Sequence, residues 1–216
     1  MRALLPALAA ALLLLPGDVH GATLIELRAE GEPVRLVIDR PQQRVLITSA
    51  SRRTWFDLNG GFLYHREGDG PTQRAHARYR PGHDEPAPYR IERFGPGPSV
   101  AGQASTYEVL FADNRICAEM MLSKWMRPFL DPAIRAIALM QETLGTATAD
   151  LCADIPFATY AAAGWPLIAG KSDRQTLETR TIAFDHGASP GELVPPGAFV
   201  QVPLEQLRGA LGAYGF

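Results

Sequence analysis

Apolar residues alternate with polar ones along most of this chain, and a helical period replaces that alternation in one long stretch. Leu24 to Arg28 reads as a first short strand. Val34, Leu36 and Ile38 then alternate with Arg35, Val37 and Asp39. After a turn at Arg40–Gln43, Val45 and Ile47 alternate with Arg44, Leu46 and Thr48, completing a β-hairpin. Thr54 to Leu58 and Phe62 to His65 form a second hairpin around Asn59-Gly60-Gly61, because Asn and Gly tolerate the positive φ of tight turns. Tyr107, Val109 and Phe111 face one way on a further strand, Asp113-Asn114 turns the chain, and Ile116 to Leu122 pairs back. Asp131 suits a helix N-cap and Pro132 the first helical position. Ile134, Ile137, Ala138, Gln141 and Leu144 follow at helical spacing, up to Gly145. Pro156 to Ala163 predicts a short helix, Pro166 to Ala169 and Thr176 to Phe184 the last strands, and Leu204 to Leu211 a terminal helix. The pattern predicts an α+β domain, a curved antiparallel sheet with helices on one face.

Residues 66–102 break the pattern. Gly and Pro recur throughout them. Ala75 to Arg80 and Tyr89 to Phe94 are expected as exposed strands, and Pro96-Gly97-Pro98 as a turn or linker. The chain of 216 residues holds 20 Gly and 18 Pro, which favours short strands over a helical bundle.

The N-terminus sets the compartment. Arg2 precedes an Ala/Leu run from Ala3 to Leu15, Pro16 and Gly17 end it, and Val19 and Gly21 occupy small positions before Ala22. Residues 1–21 are thus expected to be a secretory signal peptide, cleaved near Gly21-Ala22. No Cys lies near that point, so lipoprotein attachment is not expected. Residues 22–216 then form one periplasmic domain without a transmembrane segment, with an irregular insert at 66–102. In an oxidising compartment the two cysteines, Cys117 and Cys152, are expected to pair as a disulfide.

Charge excludes more than it assigns. The 21 basic and 23 acidic residues give a formal net charge of −2, which leaves no basis for nucleic-acid binding. Only Lys124 and Lys171 of the basic residues are lysine. No G-x-S-x-G or H-E-x-x-H motif is present, and Asp185 beside His186 lacks a nucleophile. His76 and His83 stand seven residues apart without ligand geometry. Cys117, Met120 and Met121 are soft copper ligands by type. Strict alternation, however, places Met121 and not Met120 on the Cys117 face, and core packing is the expected role. No enzyme activity, metal or cofactor is expected.

A resemblance emerges from the order of these features. A signal peptide and strands lead to Gly102-Gln103-Ala104-Ser105-Thr106-Tyr107-Glu108-Val109, and then to a strand containing Cys117-Ala118-Glu119. After the helix come Gly164-Trp165-Pro166-Leu167, a Thr/Arg-rich strand, and Pro195-Pro196-Gly197-Ala198-Phe199. This layout resembles periplasmic proteins of the LolA-like, lipoprotein carrier-like superfamily. Relatives often carry Cys where Ala104 and Ser105 stand, and Tyr where Phe199 stands. The resemblance implies a half-open antiparallel barrel whose concave face is covered by helices and binds a lipid or other apolar group. Candidate wall residues are Leu36, Ile38, Val45, Ile47, Phe56, Phe62, Tyr64, Tyr107, Val109 and Phe111, with Ile134, Ile137, Met140 and Leu144 as the lid. The same alternation describes a core filled by its own side chains. Two alternatives stand beside it. One is an envelope scaffold or regulatory module that binds protein through residues 66–102. The other is an outer-membrane barrel, prompted by the terminal Phe216 but lacking eight strands of about ten residues.

Overall fold

The computed structural model describes residues 21–78, 88–144, 150–152, 155–171, 174–189, 191–212 and 214. Residues 1–20 of the expected leader, Tyr79 and Arg80 of the strand expected from Ala75, His83, Gly145 and Phe216 lie outside them.

Among the described residues, twelve strands form one mixed sheet. β1 (Ala22–Ala29), β2 (Glu32–Asp39), β3 (Arg44–Ser49), β4 (Arg52–Asp57), β5 (Phe62–Glu67) and β6 (Gln73–His76) run as an antiparallel meander. β7 (Tyr89–Val100), β8 (Gln103–Ala112) and β9 (Arg115–Ser123) make a second meander, continued by β10 (Trp165–Lys171) and β11 (Arg174–His186). The halves join where β11 pairs antiparallel with β1, from Ala22 opposite His186 to Ala29 opposite Leu177. The last strand, β12 (Val200–Gln201), runs parallel to β6. The sheet is open, with β12 and β7 at its two edges.

The helices are α1 (Arg127–Leu144), α2 (Phe157–Ala163) and α3 (Arg208–Gly212), the last preceded by a 3₁₀ turn at Leu204–Leu207. α1 packs on β2 and β3, α2 on β10, and both α2 and α3 pack on α1. One continuous apolar layer results. It joins Ile25, Leu36, Ile47, Phe56, Leu63, Leu110, Met120 and Trp165 of the sheet to Leu130, Ile137, Met140, Phe157, Leu207 and Leu211 of the helical elements. Strand alternation sends the neighbouring side chains to the other face, called outer below.

Three local outcomes differ from the sequence reading. First, α1 begins one turn before Asp131, and Pro132 lies inside it. Pro128 sits in the first turn, where a missing N–H costs nothing, while Phe129 and Leu130 both donate to the Met126 carbonyl. Second, Pro96-Gly97-Pro98 belongs to β7, with Pro96 opposite Thr106 and Gly97 opposite Ser105. An edge strand needs donors on one side only, so proline is admitted there. Gly97 is fitted by proximity: a Cβ there would stand 2.4 Å from Ser105 Oγ and 2.8 Å from Met121 Sδ. Third, Met120 and not Met121 joins Cys117 in the interior, at 1% and 3% exposure. The register between β8 and β9 shifts between Leu110/Ala118 and Phe111/Ile116, and this bulge inverts the parity past Cys117. The expected turn at Asp113-Asn114 forms with φ of 48° and 61°, conformations that Asp and Asn tolerate.

Two covalent or chain-level fastenings complete the fold. Cys117 on β9 is disulfide-bonded to Cys152 in the α1–α2 connection, with Cα atoms 4.8 Å apart. Beside it Arg115 pairs with Asp150 at 2.7 Å, and the Tyr89 hydroxyl donates to the Leu151 carbonyl at 3.0 Å. The segment after β11 forms a strap. Leu193 packs on Val37, Leu46 and Trp55 of the outer face, and Trp55 Nε1 donates to the Glu192 carbonyl at 3.0 Å. The strap then passes the β6 edge as β12 and buries Leu207, Leu211 and Tyr214 on the helical side.

Candidate functional site

The fourteen candidate wall and lid residues separate into two groups. Leu36, Ile38, Val45, Ile47 and Phe56 meet Ile134, Ile137 and Met140 in the layer between sheet and α1, and Leu144 packs at its margin. Phe62, Tyr64, Tyr107, Val109 and Phe111 occupy the outer face, because Leu63 and Leu110 take the inner positions of the same strands. There Phe62 and Phe199 flank the Arg74 guanidinium at 4.7 and 4.0 Å, Tyr64 packs edge-on to Phe199, Phe94 lies against Tyr107, and Arg90 covers Phe111.

The inner layer is tightly filled. Leu36, Ile47 and Ile137 have no accessible surface, and Phe56 and Met140 have 1%. A void wide enough for water would expose its lining atoms, so the side chains themselves occupy the space between sheet and α1 at these positions.

α1 is tied at its first turns to the β2–β3 turn by long, partly exposed side chains. Arg135 Nη1 donates to Gln43 Oε1 at 2.9 Å, and the Arg40 guanidinium lies 5.5 Å from the centre of the Phe129 ring. Between them a cleft of about 420 Å³ is lined by Arg40, Gln43, Arg127, Pro128, Asp131 and Pro132. Next to it, Trp125, Phe129 and Phe184 form a triangle with ring centroids 5.7 to 5.9 Å apart. Their exposures of 46%, 40% and 38% make this an apolar surface, not a buried contact. The sequence pattern ends the last strand at Phe184 and gives no sign that Trp125 or Phe129 lies near it. Only the meeting of the β9–α1 connection with the end of β11 brings them together.

A buried polar group lies at the far side of the same layer. Thr54 Oγ1 is 2.9 Å from His65 Nδ1 and 2.8 Å from the Tyr214 hydroxyl, which also reaches the Ile47 carbonyl at 3.4 Å. Among the described residues His65 Nε2 is buried without a hydrogen-bond partner. Burial holds the imidazole below its ordinary value of 6.5; Arg52 adds to this and Glu67 opposes it. Burial likewise raises Tyr214 to about 12, and the Tyr160 phenol, beside Phe157, is also raised. Sequence spacing gave no sign of the Thr54–His65–Tyr214 group, whose members come from β4, β5 and the chain's last residues. Among the described residues no three His, Cys, Asp or Glu side chains converge as a metal site, and no helix is long and apolar enough to cross a membrane.

No protein-family model matches the sequence, and no curated protein matches it. Among solved structures it is similar to PNGF-II in a C2 space group, with 7% identity and a TM-score of 0.44, over 88% of this chain and 32% of that one. For PNGF-II in P21 the values are 6% and 0.45, over 88% and 33%. The crystal structure of MucB is 11% identical with a TM-score of 0.35, over 84% of this chain and 59% of that one. The chain thus spans about a third of the PNGF-II chains it matches.

Proposed function

We propose that this chain is an exported, non-catalytic periplasmic binding protein that holds a lipid or other apolar ligand between the concave face of its sheet and α1. The observation that carries this reading is the apolar layer in which Ile134, Ile137 and Met140 oppose Leu36, Ile38, Val45, Ile47 and Phe56. The leader pattern of residues 1–21, the Cys117–Cys152 disulfide and the LolA-like order of motifs support it. Because the layer is filled, the ligand enters by lifting the first turns of α1, where Arg135–Gln43 and Arg40–Phe129 are the ties. Each acyl CH₂ buried contributes on the order of 0.8 kcal/mol. A chain of ordinary length therefore offsets the apolar contacts that α1 gives up.

The test is extraction of the protein purified from the periplasm, with mass spectrometry of the organic phase. Bound lipid, or uptake of a fluorescent fatty acid by the delipidated protein, is the expected result. An empty protein that takes up no fatty acid overturns the reading.

One observation favours a second reading, protein binding through residues 66–102. Strand β7 (Tyr89–Val100) is a sheet edge and largely solvent-facing, an arrangement that accepts an added strand. Cross-linking from Arg93 to a co-purifying envelope protein is its expected signature; retention of that partner after residues 89–100 are replaced contradicts it.

A further inference from the structure

The buried group of Thr54, His65 and Tyr214 joins two strands to the end of the chain. Thr54 Oγ1 touches both His65 Nδ1 and the Tyr214 hydroxyl, and the two rings are 3% and 0% exposed. A neutral imidazole has one donor and one acceptor nitrogen, whereas a protonated one has two donors. On protonation Nδ1–H meets Thr54, but Nε2–H meets no acceptor among the described residues. A positive charge and an unpaired N–H in a dry site cost free energy until water reaches the ring. From this cluster and its place against the chain's end, we propose that His65 is an acid-operated latch, whose protonation releases the C-terminal segment that carries α3 and Tyr214.

Two observations direct the opening to that segment. The first is how each side is held. His65 is fixed by strand pairing on both sides, opposite Thr54 of β4 and Gln73 of β6. The C-terminal segment is joined to the sheet edge by the two residues of β12 and by the Val202 amide, which donates to the Arg74 carbonyl at 2.9 Å. Beyond that it is anchored by the side chains of Leu207, Leu211 and Tyr214. A chain end with few anchors opens at a lower free energy than the whole fold. The second is charge. Glu67 on the same strand and Arg52 on β4 act on the imidazole with opposite signs, and they pair with each other at 3.3 Å. Gln73 is neutral, Tyr214 is pushed up to about 12, and Glu142 of α1, Glu205 and Arg208 are exposed. Glu67 favours the proton, and burial outweighs it. The ring therefore takes its proton as the segment opens, and opening gains as pH falls below 6.5. α3 packs on α1, and a Cβ on Gly212 would stand 3.2 Å from Leu144 Cδ2. Release thus uncovers one end of the apolar layer, whether or not a ligand is held beneath α1.

The experiment is amide hydrogen exchange of the mature protein at pH 7.5 and pH 5, read by mass spectrometry and corrected for intrinsic rates. Each pH unit between the closed and open values of one group changes the opening equilibrium about tenfold. Amides within residues 204–212 are expected to lose protection by about tenfold or more at pH 5, and to stay less protected than those of β2 and β3. His65→Gln is expected to abolish the change. Tyr214→Phe is expected to lower protection of the segment at both pH values and to keep the change. His76 lies against the Phe62 ring and His186 beside Arg35, so a change that persists in folded His65→Gln belongs to them and overturns the proposal. Unchanged protection of residues 204–212 also overturns it. So does protection equal to that of β2 and β3 at pH 5, since the opening is then global. A proton NMR titration of His65 in the unaltered protein covers a variant that fails to fold: its midpoint is expected below 6.5, and a midpoint at or above 6.5 overturns the latch.

Discussion

Thr54 Oγ1 and the Tyr214 hydroxyl lie 2.8 Å apart although 160 positions separate them. Thr54 belongs to a central strand, and Tyr214 ends a strap that crosses the outer face and turns around the β6 edge. Their contact fastens the end of the chain to the helical side of the sheet. Tyr214→Phe removes the hydroxyl while Thr54 keeps His65, so the expected loss is about 1 kcal/mol in urea unfolding. Because burial pushes the phenol up to about 12, its stabilisation is complete below pH 10 and disappears as pH rises through 12. The variant is expected to flatten that alkaline limb of the stability curve.

His65 acts at the other end of the pH scale. Its folded-state value lies below 6.5, so the unfolded chain binds the proton more tightly. Stability is therefore intact above pH 6.5 and falls as pH drops from 6.5 through the folded-state value. His65→Gln is expected to remove this dependence while Glu67 and Arg52 remain in place. Unfolding midpoints measured from pH 8 to pH 5 on both proteins check it; parallel curves contradict it.

The Cys117–Cys152 bridge closes a 35-residue separation that contains α1. The double substitution Cys117→Ser, Cys152→Ser is expected to cost about 4 kcal/mol through the greater freedom of the unfolded chain. The loss is read from denaturant midpoints without reductant. A midpoint unchanged from that of the parent would show that packing of α1 alone fixes this region.

Ile137 connects stability with binding. It has no exposed surface and faces the sheet residues of the filled layer. Ile137→Ala is expected to destabilise the fold by about 2 to 5 kcal/mol and to leave a cavity. Fatty-acid affinity is expected to rise, because the ligand then displaces fewer side chains. Lower stability together with lower uptake would place the ligand elsewhere.

Much of this architecture was readable because period-2 alternation is strong wherever one strand face is buried. Leu36, Ile38, Val45, Ile47 and Phe56 lie in the inner layer for that reason, and the disulfide was expected from two cysteines behind an expected leader. Phe62, Tyr64, Tyr107, Val109 and Phe111 obey the same alternation, but the outer face is also partly apolar, covered by the strap and by aromatic–arginine contacts. Alternation gives two faces without saying which one meets α1. The parity of Met120 depended on a single bulge, which has no composition signal. Pro96 and Pro98 read as breakers because a free edge is a property of sheet order. The aromatic triangle and the Thr54–His65–Tyr214 group unite residues far apart in sequence, so neither had a motif to find.

The most direct test of binding beneath α1 is to close its entrance. Gln43→Cys with Arg135→Cys places two thiols where the α1 tie now lies, and the native cysteines are already paired. A short, cleavable thiol cross-linker then pins α1 to the β2–β3 turn. The expected result is loss of fatty-acid uptake in the cross-linked protein and its return once the linker is cut. Equal uptake with the linker intact would contradict a ligand site under α1.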